Sequence, residues 1–317
     1  MSIAIADVRK CHWQVILNPN ALGGKCSQYW QIISEQLANR GIPFTEHLAN
    51  HTGAGSMISR SLCRQGERHF IILGGDGTLN EVVNGVATSG MDTTEVFIVP
   101  FPIGTGNDWA RTHNYPQDYL DVFPSFLAGH FFKHDIGLVK SMQDDEVVDE
   151  RYFINIAGFC FDAAVINEVT KRKKKFIPAG VYLACLLKVL LTYKAKPTVI
   201  ATTTETLSDS VFTIAVGICK YNGNGMMQVP MGDPADGMFD IVTIRKIPLL
   251  KVLANVGNLF KGEHIRLKEV TVMRSDEVRI SSGHLTLGEV EGEMLTAGDY
   301  HVKCFRQAIN MLKIKES

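Results

Sequence analysis

The sequence predicts an α/β domain built on a parallel sheet, followed by a domain of short antiparallel strands. Three observations predict it. Apolar strand-like runs and helical segments alternate four times before residue 100, and the runs lead into clusters of Gly, Asn or Pro. Beyond about Asp135 the segments become short and β-branched, with turn residues between them. A length of 317 residues fits two domains at roughly 150 residues each.

Trp13–Leu17 is an apolar run ending at Asn18-Pro19, a buried strand meeting a loop. Tyr29–Asn39 repeats apolar residues at helical spacing (Trp30, Ile33, Leu37) until Gly41 stops it. Phe44–Leu48 is a second strand and Gly53–Arg64 a helix. His69–Leu73 is a third strand running into glycines, Leu79–Ala87 a helix, and Glu95–Pro100 a fourth strand. In such sheets ligands bind at the carboxyl ends of the strands. After a boundary near residue 137, strands are expected at Tyr152–Ile156, Thr198–Thr204, Val211–Gly217, Phe239–Arg245, Val270–Met273 and Glu277–Ser281. That spacing fits a sandwich or a barrel, interrupted by one helix, Ala179–Tyr193.

Composition narrows the class. Hydrophobic residues are 45%, charged residues 21% and the net charge is −1, so attraction to a polyanion must come from a local patch. The seven cysteines are dispersed with no CxxC pair, which suits buried free thiols in a reducing compartment. The N-terminal segment lacks the pattern of a signal peptide, and the longest apolar stretch, Val181–Leu191, is shorter than the ~20 residues that cross a bilayer. A cytoplasmic protein is expected.

Three loops carry chemistry. Gly74-Gly75-Asp76-Gly77-Thr78-Leu79-Asn80-Glu81 follows a strand and opens a helix. Its glycines let backbone amides approach a ligand, and the helix N-terminus suits a phosphate. Pro102-Ile103-Gly104-Thr105-Gly106-Asn107-Asp108 repeats the recipe, and alone it reads equally as an N-cap by Asn107 or Asp108. Asn18-Pro19-Asn20-Ala21-Leu22-Gly23-Gly24-Lys25 could close over phosphates or be a plain turn. No P-loop, protein-kinase or GxGxxG dinucleotide signature is present.

Those loops in that order resemble the diacylglycerol kinase catalytic family, which includes bacterial lipid kinases and sphingosine kinases. The resemblance continues at Asp135-Ile136-Gly137, Asn155-Ile156-Ala157-Gly158, Asp236-Gly237-Met238-Phe239-Asp240 and Gly292-Glu293. It implies an NAD-kinase-like nucleotide-binding domain with helices on both faces of a parallel sheet, over residues 1–137. It implies a C-terminal β-sandwich for the lipid substrate over 138–303, with residues 304–317 packing back on the first domain and the active site between the two. It further implies ATP and Mg2+ as cofactors and a role in phospholipid biosynthesis. Residues expected to bind ATP are Asn18, Pro19, Asn20, Gly23, Thr52, Gly74, Gly75, Asp76, Gly77, Thr78, Leu79, Asn80 and Thr105. Asp233, Asp236 and the carbonyl of Met238 map to the family's auxiliary magnesium site.

The sequence departs from the family's usual DGE motif, reading Glu291-Gly292-Glu293. Glu293 is therefore assigned to accept the proton, with Glu291 and Asp76 as competing candidates. Asp76 is assigned to orient the metal or its water. The expected function is transfer of the γ-phosphate of ATP to a lipid hydroxyl. An NAD kinase-like enzyme and a non-catalytic nucleotide- or lipid-binding regulator are the alternatives. A membrane would present the lipid substrate, and the basic run Lys171-Arg172-Lys173-Lys174-Lys175 offers a transient contact with the inner membrane surface. Binding to nucleic acid is not expected, because no aromatic platform accompanies that run.

Overall fold

The computed structural model describes residues 2–171 and 179–315. The chain divides into two compact units, Met1–Ile136 with Pro234–Asp236 and Arg306–Ser317, and Gly137–Asp233 with Gly237–Phe305.

The first unit opens with β1 (Ser2–Ala4) and β2 (Trp13–Leu17), then alternates α1 (Cys26–Asn39), β3 (Phe44–Leu48), α2 (Ala54–Arg64), β4 (His69–Gly74), α3 (Asp76–Ala87), β5 (Phe97–Pro102), α4 (Asp108–Thr112) and α5 (Val122–Ala128). Strands β3, β2, β4 and β5 lie side by side, all parallel. Alternation along each strand sends Trp13, Val15, Leu17, Ile71, Leu73, Val99 and Phe101 to one face. There they join Trp30, Ile33 and Leu37 of α1 and Val122, Phe123 and Phe126 of α5 in one buried cluster. The other face is covered by α2 and α3, which approach so closely that a Cβ on Gly85 would sit 2.0 Å from Ser59 Oγ. Helix α3 begins three residues earlier than the apolar periodicity predicts. Gly75 is its N-cap, so Asp76, Gly77 and Thr78 form its first turn.

The second unit is an antiparallel β-sandwich. It takes up β6 (His130–Gln143, from residue 137), β7 (Glu146–Phe153), β8 (Ile156–Cys160), α6 (Phe161–Thr170), α7 (Ala179–Thr192), β9 (Lys196–Thr202), β10 (Thr206–Gly217), β11 (Phe239–Arg245), α8 (Leu249–Lys261), β12 (Val270–Ser275), β13 (Glu277–Ser281), β14 (Gly288–Val290), β15 (Glu293–Met294) and the first half of β16 (Asp299–Leu312). Strand β10 serves both layers. Residues 206–211 pair with β9, and after an irregularity between Val211 and Thr213 the strand runs between β8 and β11. The expectation of a single helix here is corrected, because α6 and α8 accompany α7. Pro248 before α8 and Gly262 after it, in the left-handed region, are the stop signals that its boundaries follow.

No helix among the described residues is long and apolar enough to cross a membrane. All seven cysteines are free thiols, six of them buried. Of the basic run, Lys171 lies 3.9 Å from Glu168, and Arg172–Lys175 fall outside the described residues.

Candidate active site

Four loops of the first unit meet at the carboxyl ends of β2, β3, β4 and β5, and side chains tie them together. Asn18 Nδ2 donates to Thr78 Oγ1 at 3.1 Å, joining the first loop to the helix after β4. Asn18 Oδ1 accepts from the Asn20 amide, and Asn20 Nδ2 donates to the Asn50 carbonyl in the loop after β3. Glu81 of α3 takes the amides of Gly53 and Gly55, at 2.7 and 3.0 Å, on its two carboxylate oxygens. It thereby holds the start of α2 in the His51-Thr52-Gly53 loop.

Asp76 ties the loop after β4 to the loop after β5. Its Oδ2 accepts the Asp108 amide at 2.9 Å and its Oδ1 the Trp109 amide at 3.2 Å. Asp76 therefore caps α4 from 32 residues away. Of the two N-caps the sequence left open, Asn107 holds the position and Asp108 is the first helical residue. Asn107 adopts a left-handed backbone and makes no side-chain cap. Its Nδ2 donates instead to the carbonyls of Pro102 and Gly104. Burial pushes the Asp76 carboxyl above its usual range, and the Asp108 carboxylate adds to the shift, while the three backbone amides of residues 107–109 pull it back.

The glycines divide by what surrounds them. A Cβ on Gly104 would lie 2.4 Å from Gly75 Cα, and one on Gly74 would lie 2.4 Å from Thr78 Oγ1. These glycines let two loops and a helix turn touch. Gly104→Ala is expected to force the loops apart, lowering stability by about 1–3 kcal/mol as overpacking does. Denaturant titration checks this, and an unchanged midpoint would contradict the contact. Gly23, Gly24 and Gly77 differ, because a Cβ there would have no neighbour from elsewhere in the protein within 4 Å. Beside the second loop lies a cleft of about 420 Å³, lined by Pro102, Gly106, Asn107, Ala110, Arg111 and Tyr115 among others. That is within the size range of small-molecule sites.

Among the other residues singled out by sequence, Thr52, Gly23 and Thr105 are exposed on these loops, and Pro19 is half-buried. Leu79 and Asn80 are buried, with Asn80 Oδ1 accepting from Asn84 at 3.1 Å, so both face the interior of the unit. Asp236 belongs to the first unit, Asp233 and Met238 to the second.

In the second unit the Glu291-Gly292-Glu293 turn joins β14 to β15, with positive φ at Glu291 and Gly292. Glu291 Oε1 accepts the amides of Ile154 and Asn155, at 2.8 and 2.9 Å, which pins the turn to the β7–β8 connection. Glu293 is 58% exposed, with Arg151 at 4.0 Å. Sequence reasoning missed the residue beneath. Glu289 is buried; its Oε2 accepts the Gly292 amide at 2.7 Å, and a Cβ on Gly158 would lie 2.4 Å from its Oε1. Burial pushes its carboxyl up to about 8, with Asp162 and Glu291 as further acidic neighbours. Burial likewise raises Asp162 to about 6, although Thr213 and Gln228 hydrogen-bond it. Glu289 sits in the middle of β14, between Gly288 and Val290, and nothing local in the sequence marks its side chain as the buried one.

Set beside known proteins, this arrangement has a family. Residues 12–139 match the diacylglycerol kinase catalytic domain, and residues 156–313 match the YegS C-terminal NAD kinase beta sandwich-like domain. The chain belongs to the diacylglycerol kinase catalytic family. It is 25% identical over 280 residues to a diacylglycerol kinase of Staphylococcus carnosus, covering 88% of each chain. Among solved structures, a diacylglycerol kinase from Bacillus anthracis superposes with TM-score 0.72 at 17% identity, covering 96% of this chain and 97% of that one. The yeast NADH kinase complexed with NADH superposes with TM-score 0.52 at 11% identity, covering 98% and 87%, a likeness of fold alone.

Proposed function

We propose that the protein transfers the γ-phosphate of ATP to a hydroxyl group of a lipid of the diacylglycerol class. The observation that carries this is Gly77. It occupies the first turn of α3, where a Cβ would have no neighbour from elsewhere in the protein within 4 Å and an Ala would favour the helix. A glycine without a folding reason, at a helix N-terminus beside two glycine-rich loops, fits backbone amides kept bare for a phosphate.

The lipid hydroxyl attacks the γ-phosphorus, the bond to the ADP oxygen breaks, and the hydroxyl proton passes to a carboxylate. Glu293 is assigned that proton, because it is exposed, whereas Glu291 already accepts two amides through one oxygen. Asp76 positions the second loop through the α4 amides. Mg2+ would neutralise the phosphates, with Asp76 orienting the ion or its water. Asp233, Asp236 and the Met238 carbonyl would supply oxygen donors to a separate, auxiliary Mg2+.

Gly77→Ala tests the proposal. Its thermal midpoint is expected to be unchanged or higher, while calorimetric affinity for ATP with Mg2+ falls at least ~10-fold, about 1.4 kcal/mol. Unchanged affinity would remove the phosphate role. Phosphate transfer from labelled ATP into extracted lipids, with NAD as a parallel acceptor, identifies the substrate class. Labelled NADP without labelled lipid would overturn the lipid acceptor.

A further inference from the structure

We infer that the outward face of α8 is a docking surface for an anionic lipid bilayer. This deepens the proposed function and rests on it only for the choice of a bilayer as the partner. A surface helix normally turns its polar side to water. Helix α8, LLKVLANVGNLFK, does the reverse. Leu250 is 80% exposed, Leu253 47%, Val256 44% and Phe260 49%. At 100° per residue these four fall within one arc of about 120°. The polar residues lie on the flank away from that arc and are spent within the protein. Lys251 Nζ bonds Glu269 at 2.6 Å, Asn255 Nδ2 donates to the Lys251 carbonyl at 2.8 Å, and Asn258 Nδ2 donates to Asn255 Oδ1 at 2.7 Å. Leu249 and Val252 already seat the helix on a cluster that includes Phe161, Val189 and Phe212. The outward residues are not part of that cluster and leave 44–80% of their surface in solvent. Helix α7 packs on the same cluster and also exposes apolar side chains, Leu187 at 42% and Leu191 at 70%.

Charge selects the occupant. Exposed Lys246 and Lys261 bracket the helix, and no acidic residue lies between them. Exposed Arg266 and Lys268 follow, and Glu263 is the one exposed carboxylate from 246 to 268. Apolar stripe with basic flanks is the pattern of helices that lie in the headgroup region of a membrane. Each cation near an anionic leaflet strengthens binding roughly fivefold. A second copy of the chain is disfavoured, because two α8 helices stacked in either direction bring like charges together at both ends.

Co-sedimentation with phosphatidylcholine vesicles, with and without phosphatidylglycerol, tests this directly. The wild type is expected to partition preferentially onto the phosphatidylglycerol vesicles. The variant Leu250→Ser/Leu253→Ser/Phe260→Ser is expected to bind them at least ~30-fold more weakly, with unchanged circular dichroism. As a second reading on a less altered protein, Phe260→Trp should be quenched by brominated lipid beyond the wild-type tryptophans Trp13, Trp30 and Trp109, all of them buried. Equal partitioning of variant and wild type, or no added quenching, overturns the inference. So does a dimer in sedimentation velocity that the triple variant abolishes while vesicle binding is absent. The triple variant should still phosphorylate a short-chain, monomeric acceptor as the wild type does. Loss of transfer in every arm, wild type included, would sink the kinase proposal and leave the vesicle result standing.

Discussion

Asp76→Ala is expected to reduce lipid-dependent ATP turnover at least ~10²-fold, the scale of an ångström-sized displacement of groups that align a substrate. The reason is connectivity. Removing the carboxylate frees the amides of Asp108 and Trp109, so α4 loses its cap and the second loop loses its tie to the first turn of α3. Stability should fall as well, by about 1–3 kcal/mol for amides left without a partner. Asp76→Asn keeps one acceptor oxygen and should recover part of the stability. Steady-state ADP release together with urea titration measures both effects. Full turnover in Asp76→Ala would refute any role for this carboxylate.

The second large effect concerns pH. The Glu289 carboxyl has an ordinary value of 4.5 and is raised to about 8 by burial in the fold. The folded chain therefore holds this proton more tightly than the unfolded chain does. Its contribution is complete below pH 4.5 and is lost progressively as pH rises to about 8, where the ionised form becomes a buried charge. At about 1.4 kcal/mol per unit, the full loss is on the order of 3–5 kcal/mol. Glu289→Gln removes the titration while its carbonyl oxygen can still accept the Gly292 amide. The variant should be more stable than the wild type at pH 8.5 by at least ~2 kcal/mol relative to their difference at pH 5. Denaturant unfolding across that range decides the matter. Parallel curves for the two proteins would show that Glu289 is not protonated in the fold.

Much of the architecture was legible because strand burial and glycine placement are local signals. Trp13–Leu17 and Phe44–Leu48 are strands with the boundaries that their patterns predict, and His69–Leu73 extends by one residue to Gly74. The two helices of the second unit that the sequence did not yield, α6 and α8, have weaker signatures. Helix α6 has a β-branched Val165-Ile166 pair and no classical N-cap side chain, since Cys160 precedes it. Helix α8 shows its apolar residues on both sides, so periodicity alone does not tell its inward face from its outward one. At the site, the spacing of Gly74-Gly75 and Gly104 marks where backbones must meet, but not which partner each glycine has. The capping of α4 by Asp76 joins residues 32 positions apart, and the grip of Glu291 on Ile154 spans 137. Such pairings follow from the fold, not from any window of sequence. Glu289 was illegible for a related reason: its neighbour Asp162 is remote in sequence, and only burial distinguishes it from the exposed Glu293.

The route of β16 bears on how the protein is made. Asn310 and Met311 pair in parallel with β5, Asn310 Nδ2 bonds the carbonyls of Thr94 and Val96, and Leu312 is buried in the core that Trp13 and Trp30 share. A ribosome adding about 5–20 residues per second must therefore elongate from residue 136 to 306 before this edge can be covered, an interval of roughly 10–30 seconds. Until then the nascent sheet presents an open, hydrogen-bonding flank at β5, the period in which chaperone capture or misassembly would act.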